Sequence, residues 1–280
     1  MTDLAVIILT KNEKLHIGRC LEKLVPLEPR QVFVVDCFST DETKSIVESF
    51  STRLTTNDQR LTTIHFVEHE WSGLYAKQFN WALDNLPIEA KWVLRMDADE
   101  YLTSETIDII KDILPGTGDD IAGFSLELGR TFWGHPVSRG VGRMWLTRVF
   151  RYGIGRCEDK AMDEHIVVSS GCIRKLLGGK FVDDNLNNPD WWREKHRGYA
   201  KREAADVLAG EKFKSSKSFY YKCPPYLRAF AYFCYRYFIR LGFLDGYAGW
   251  MWNFWQGLWY RWIVDRTIGE MKREARSKGE

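Results

Sequence analysis

At 280 residues the chain can bury one large core or two modest ones, so length alone does not set the number of domains. A formal net charge of +2 excludes a bulk nucleic-acid binder, and 28% charged with 45% hydrophobic residues excludes a disordered or low-complexity chain. Six cysteines without a C-x-x-C pair, and a start, Met1-Thr-Asp-Leu, that leads straight into a strand, point to a reduced, cytosolic protein with buried thiols.

Leu4 to Leu9 is a continuous apolar run, which suits a parallel strand covered on both faces. A helix is expected from about Glu13 to Leu24, then a second buried strand, Gln31 to Val35, ending at Asp36. Ser39-Thr-Asp-Glu-Thr43 supplies capping side chains for a helix running to Phe50, and the polar stretch Ser51 to Arg60 reads as a surface connection. Thr62 to Val67 and Lys91 to Met96 are expected strands, with a helix from about Leu74 to Leu86 between them. This alternation predicts right-handed crossovers in a mostly parallel sheet flanked by helices. A helix from about Ser104 to Leu114 and a strand from Ile121 to Leu128 follow.

In such a sheet ligands collect at the carboxyl ends of the strands. Thr10, Asn12, Glu13, Asp36, Asp41, Asp97 and Asp99 all follow predicted strand ends, so one crevice could gather them. Asp97-Ala-Asp99-Glu100 closes an apolar strand with carboxylates at i and i+2, oxygen ligands of the kind that Mg²⁺ or Mn²⁺ prefers. Acids before Thr103-Ser104-Glu105 can equally belong to a helix start.

Thr10-Lys-Asn-Glu13, Val34-Val-Asp36 with Ser39-Thr-Asp41, and Asp97-Ala-Asp99-Glu100, in this order, resemble family 2 glycosyltransferases of the GT-A fold. Asp163-Glu-His165 and Asp184 to Trp192, with Lys195, His196 and Tyr199, extend the resemblance toward a bacterial branch that builds lipopolysaccharide, capsule or exopolysaccharide, including lipopolysaccharide core glucosyltransferase-like enzymes. The resemblance implies a nucleotide-sugar donor, with UDP favoured as the commonest among relatives, and a divalent metal on Asp99 and Asp97. Asp97 would also reach the ribose, and Asp36 would accept from a base or ribose group. Thr10, Asn12 and Glu13 would floor the nucleotide pocket, while Lys77 either adds charge near the diphosphate or is a solvated helix lysine.

Inverting transfer also needs a base to take the acceptor's proton. The resemblance places it at Asp163-Glu164, with Glu164 favoured. Adjacent carboxylates in a strand face opposite ways, so one of them would pair instead with an arginine such as Arg143, Arg148 or Arg156. His165, Asp183 and Asp184 could each serve a metal, but a hydrogen-bonded histidine and a turn of acids are the plainer readings. Trp191 and Trp192 could stack on a sugar, or pack the C-terminal segment onto the core.

Of the 40 aromatic residues, 19 lie between Phe219 and Trp262, so a different environment is expected from about residue 216. Residues 1–215 are read as the catalytic domain, with a donor half over about 1–100 and an acceptor half over about 101–215, and 216–280 as an extension. Leu227 to Leu241 and about Tyr247 to Val264 each carry an apolar stripe at helical spacing, broken at Asp245-Gly246, before a frayed mixed-charge tail from Glu270. The longest charge-free run, Gly246 to Tyr260, is shorter than the roughly 20 residues of a spanning helix, so a monotopic hairpin at the membrane interface over 226–264 is expected. A dimer interface or a helical cap is the alternative for the same residues.

The expected activity is transfer of a sugar to a lipid-linked saccharide, peripheral on the cytoplasmic face of the membrane. A polyprenyl-phosphate glycosyltransferase is the rival within enzymes. A non-enzymatic membrane assembly factor on a degenerate scaffold is the rival outside them.

Overall fold

The computed structural model describes residues 1–57, 62–159, 165–209 and 220–277. They form two compact units, one of Met1–Gly129 with Arg143–Leu186, the other of Arg130–Gly142 with Asn187–Glu280. The division expected near residue 215 falls inside the second unit, because the stretch from residue 187 packs with the C-terminal aromatics.

In the first unit, β1 (Thr2–Thr10), β2 (Pro29–Asp36), β3 (Thr63–Glu68) and β4 (Trp92–Asp97) lie side by side in the order β3-β2-β1-β4, all parallel. The helices between them are α1 (Ile17–Leu24), α2 (Thr43–Asn57) and α3 (Tyr75–Asn85). Alternate residues of β1 feed opposite cores, as a strand buried on both faces requires. Leu4, Val6 and Ile8 pack with Ile17, Leu21 and Leu24 of α1, whereas Ala5, Ile7 and Leu9 pack with Ala76, Phe79 and Leu83 of α3.

Beyond β4 the sheet changes character. After β5 (Glu100–Leu102) and α4 (Ser104–Ile113) come β6 (Ile121–Phe132), β7 (His135–Val137), β8 (Trp145–Arg151), β9 (Gly155–Cys157), β10 (Ile166–Val168) and β11 (Cys172–Asp183), with no helix between them among the described residues. Antiparallel neighbours need only turns between them, and β8 accordingly runs antiparallel to both β4 and β6, as β11 does to β5. The α/β class and its parallel half are as expected; the full sheet is mixed.

Several boundaries differ from expectation for local reasons. Residues 11–16 stay out of α1 because they build a loop in which Asn12 has φ 56°. The polar stretch after Phe50 continues α2 to Asn57 instead of forming a connection. Of the described thiols, Cys20, Cys37 and Cys157 are buried as expected, whereas Cys172 is exposed and Cys223 and Cys234 are half-buried.

The second unit is built on α5 (Pro189–Leu208), whose first turn is capped by Asn188 accepting the Trp191 N–H at 2.9 Å. The C-terminal segment is less regular than two simple helices. It runs through α6 (Leu227–Cys234), a π-helical stretch to Ile239, a reversal with Leu241 at φ 57°, α7 (Gly246–Trp252), a second π-helical stretch to Trp259, and α8 (Tyr260–Ser277). The tail is helical to Ser277, not frayed from Glu270.

Gly249 is required there, since a Cβ at that position would lie 2.0 Å from the Gly242 carbonyl oxygen. Phe132, Trp192 and Ala248 pack with Trp252, Trp255 and Trp259, and Ala200 and Ala204 of α5 with Val264 and Ile268 of α8. Trp192 is therefore a packing residue, while Trp191 is exposed beneath the Lys195 ammonium at 4.6 Å.

His196 is held neutral in this unit. Its Nδ1–H faces the Trp192 carbonyl at 2.9 Å, Nε2 meets the Gln256 amide nitrogen at 2.8 Å, and the ring stacks on Trp192 at 3.6 Å. Burial pushes its pKa down to about 4, the Trp192 carbonyl opposes that, and Lys195 adds to it. A depressed histidine binds fewer protons folded than unfolded, so stability is complete above the unfolded value near 6.5 and is lost as pH falls toward 4. Thermal melts from pH 7 to 4 should show a loss of about 2 kcal/mol that His196→Gln removes. An unchanged pH profile in the variant would refute the assignment.

Candidate active site

The strand register itself assembles the site. In the parallel pairings Thr10 lies opposite Asp36, and Leu9 opposite both Val35 and Asp97, so β2, β1 and β4 end together. Asp36 is buried and already occupied. It accepts the Thr10 hydroxyl at 2.8 Å, the Ser39 hydroxyl at 2.6 Å and the Ser39 N–H at 2.6 Å. A carboxylate has about four acceptor positions, so Asp36 has room for one further donor.

The loops after β1 and β2 are tied together by the very residues that the sequence marks as site candidates. Asn12 donates its N–H to Ser39 Oγ at 2.7 Å and accepts the Thr40 N–H at 2.8 Å. Asp41 accepts the Lys14 N–H at 3.2 Å together with the Thr43 N–H at 3.0 Å and hydroxyl at 2.5 Å. Burial alone would raise its pKa, but the bonds from Thr43 and Lys14 outweigh that and hold it below the usual value.

The Glu13 side chain is engaged within α1's approach. Its carboxylate meets His16 Nδ1 at 2.6 Å, and His16 Nε2 accepts the Leu186 N–H at 2.9 Å, which fixes the ring as the Nδ1–H tautomer.

The turn from Asp97 to Glu100 sorts its side chains by face. Ala98 and Glu100 are buried, whereas Asp97 and Asp99 are half-buried and alternate with them, so the two carboxylates share the open side. Glu100 holds the turn from within, accepting the Asp97 N–H at 3.0 Å and forming a close ion pair with buried Arg148. Burial pushes the Glu100 carboxyl well up, and the Arg148 guanidinium opposes this. The Arg148 guanidinium lies 4.3 Å over the Phe181 ring.

Antiparallel pairing of β5 with β11 sets Glu100 opposite Asp183 and delivers the following loop to Asp99. Asn185 donates its amide N–H to Asp99 Oδ2 at 3.0 Å, and the Asp99 carbonyl accepts from the Asp184 N–H at 3.1 Å and Arg19 at 3.3 Å. Arg19 also grips Asp184 through its carboxylate and carbonyl, both at 2.5 Å. Asp184 is thereby an ion-pair partner of α1.

Lys77 is exposed on α3, and its neighbours are structural: Gln78 meets His69 at 3.0 Å, and Asn80 clamps the Cys157 N–H and C=O, each at 2.9 Å. Asp163 and Glu164 lie outside the described residues. Among the described residues, the arginines expected as partners for them pair as Arg148 with Glu100, Arg156 with Asp84 at 2.6 and 2.9 Å, and Arg143 with Glu127 at 2.9 Å. His165 is exposed; its carbonyl accepts the Glu158 N–H at 2.9 Å, and its own N–H donates to the Glu158 carboxylate at 3.4 Å.

Sequence reasoning missed Arg19, His16, Asn185 and the pairing of Glu100 with Arg148. One signal was available: the acid directly after the D-x-D opens the buried strand β5, where it needs a cation. Among the described residues no group of three His, Cys, Asp or Glu side chains is placed to hold a metal. Asp97 and Asp99 offer two open carboxylates, a hard donor set that suits an ion taking its remaining oxygens from a ligand and water.

Residues 5–178 match the family model described as Glycosyl transferase family 2. A curated protein of Rhizobium meliloti (strain 1021), "Lipopolysaccharide core biosynthesis glycosyltransferase LpsC", is 29% identical over 180 residues, covering 64% of this chain and 62% of that protein. The chain thus spans about three fifths of that relative's length. Among solved structures, S. aureus TarS 1-349 in complex with UDP is 17% identical with a TM-score of 0.45, over 100% of this chain and 92% of that one. The mannosyltransferase PcManGT from Pyrobaculum calidifontis, in complex with GDP-Man and Mn²⁺, is 16% identical with a TM-score of 0.44, over 99% and 76%.

Proposed function

The chain belongs to glycosyl transferase family 2, and from that premise we propose that it moves a sugar, with inversion, from a nucleotide-sugar donor to a lipid-linked saccharide of the bacterial cell surface. The observation that carries the reading is the common end of β2, β1 and β4, which lines Asp36, Thr10 and Asp97 along one edge beside Asp99. Kinship with a lipopolysaccharide core biosynthesis glycosyltransferase supports the choice of acceptor class.

Each residue of the edge has a task in such a transfer. Asp36, with one acceptor position open, takes a hydrogen bond from the base or ribose of the donor, UDP being the favoured nucleotide. Asp97 reaches the ribose. Asp99, oriented by the Asn185 amide, and Asp97 would hold Mg²⁺ or Mn²⁺, which supplies Lewis-acid neutralisation of the departing diphosphate. Thr10, Asn12 and Asp41 act by fixing the two loops that frame the nucleotide, and Lys77 adds positive charge toward the diphosphate. Glu164 takes the proton from the acceptor hydroxyl as it attacks the anomeric carbon, with Asp163 beside it.

No described helix is long and apolar enough to cross a membrane. The reading places the protein peripherally, on the cytoplasmic face, where the lipid-borne acceptor is confined to a plane.

A panel of UDP- and GDP-sugars titrated with and without Mn²⁺ tests the donor side. Binding that requires the ion supports the reading, and no binding of any donor points to a non-enzymatic scaffold. Glu164→Gln separates a hydroxyl acceptor from a polyprenyl phosphate, which needs no base. A loss of kcat on the order of 10²-fold with donor affinity retained is expected, and unchanged turnover would remove the base assignment.

A further inference from the structure

The reversal between α6 and α7 exposes a run of apolar side chains. Phe238, Ile239, Leu241, Phe243, Leu244 and Tyr247 all face outward within ten consecutive residues, with Ile239 at 72% and Tyr247 at 69% exposure. Scattered apolar side chains on a surface are ordinary, but a run of this kind at a chain reversal marks a partner.

Charge distribution identifies that partner. Of the cations between residues 220 and 264, Arg228 and Arg236 are buried and Arg261 pairs with Glu203, which leaves Lys222 and Arg240 exposed beside one acid, Asp245. Asp245 is withdrawn from the outer face: its carboxylate accepts the Ser138 N–H at 2.8 Å, the Arg139 N–H at 2.6 Å and the Ser138 hydroxyl at 2.9 Å. These bonds dock the 138–141 segment against the reversal, where the Gly140 N–H also meets the Arg240 carbonyl at 3.1 Å. Arg139 and Arg240, both exposed, are thereby brought to the base of the apolar turn.

An apolar tip with a basic collar and its acid turned inward suits a bilayer carrying anionic headgroups. Apolar side chains gain by entering the boundary between headgroups and acyl chains, and each arginine gains beside a phosphate. A second copy of the same surface would set collar against collar, like charge against like.

We propose that residues 238–247 are a membrane-insertion tip, with Arg139 and Arg240 as its contacts to anionic lipid phosphates. The tip gives a physical basis to the peripheral placement above and rests on that reading for its purpose, but its binding to lipid requires neither donor nor acceptor.

Vesicle flotation tests this with the full chain, using pure phosphatidylcholine and an equal mixture of phosphatidylcholine and phosphatidylglycerol. The wild type should float with the mixed vesicles. Replacing Ile239 and Leu244 together with serine should weaken its partitioning at least about tenfold, since each change removes several buried carbons. Arg139→Glu with Arg240→Glu should reduce binding on mixed vesicles to the level on phosphatidylcholine alone.

Thermal melts and nucleotide binding, measured on the same preparations, show that each variant is folded. Wild type that stays off mixed vesicles, or a serine variant that floats as the wild type does, overturns the proposal. So does a wild-type dimer that the serine variant converts to a monomer while neither binds lipid. Vesicle binding without nucleotide binding would instead sink the sugar-transfer reading and leave the tip standing.

Discussion

Replacing Asp99 with alanine is expected to lower kcat/KM on the order of 10³-fold and to abolish the effect of Mn²⁺ on donor binding, with the fold unchanged. Structural damage is a weak rival explanation. The Asp99 carbonyl, which the Asp184 N–H and Arg19 use, belongs to the backbone and survives the substitution. The Glu100 contacts to the Asp97 N–H and Arg148 are likewise untouched. What disappears is one open carboxylate and the acceptor of the Asn185 amide, which lies in a loop near solvent. Calorimetric titration of a UDP-sugar with and without Mn²⁺, beside a thermal melt, separates the outcomes. A variant that binds donor in the same Mn²⁺-dependent way would remove Asp99 from the metal site, and a lower melting temperature by itself would not support it.

The parallel half of the fold was legible because its signals are local. Runs such as Leu4 to Leu9 can be satisfied when both faces of a strand are covered, and α1 and α3 supply that cover. The mixed half was less legible, since β8 to β11 owe their pairing to short turns and to distant partners. The C-terminal segment showed its apolar periodicity, but not its π-helical stretches at Tyr235–Ile239 and Asn253–Trp259.

The candidate site divides in the same way. Asp36, Asp97 and Asp99 could be named because each follows a strand end. Arg19, Asn185 and Arg148 reach the turn from elements 80, 86 and 48 residues away from their partners, a distance no short motif spans. Glu13 shows the reverse case, since its place in a motif gave no hint that buried His16 would meet its carboxylate.

Arg148→Met should be the most destabilising single change near the site, costing about 3–5 kcal/mol, because it leaves Glu100 buried without its counter-charge. That is a large share of the roughly 5–15 kcal/mol by which a domain is stable. Methionine keeps the length and apolar bulk that lie over Phe181, so lost packing contributes little. Glu100→Gln in the same chain should recover much of the loss. A glutamine carbonyl still accepts the Asp97 N–H, and no unpaired charge remains. Urea unfolding of the two single variants and the double variant measures the coupling directly. A cost below about 1 kcal/mol for Arg148→Met, or a double variant no better than the single, would show that the pair is not what holds the turn. If it is, kcat/KM should follow stability in this series. Asp97 and Asp99 face the open side because Glu100 is anchored on the buried one.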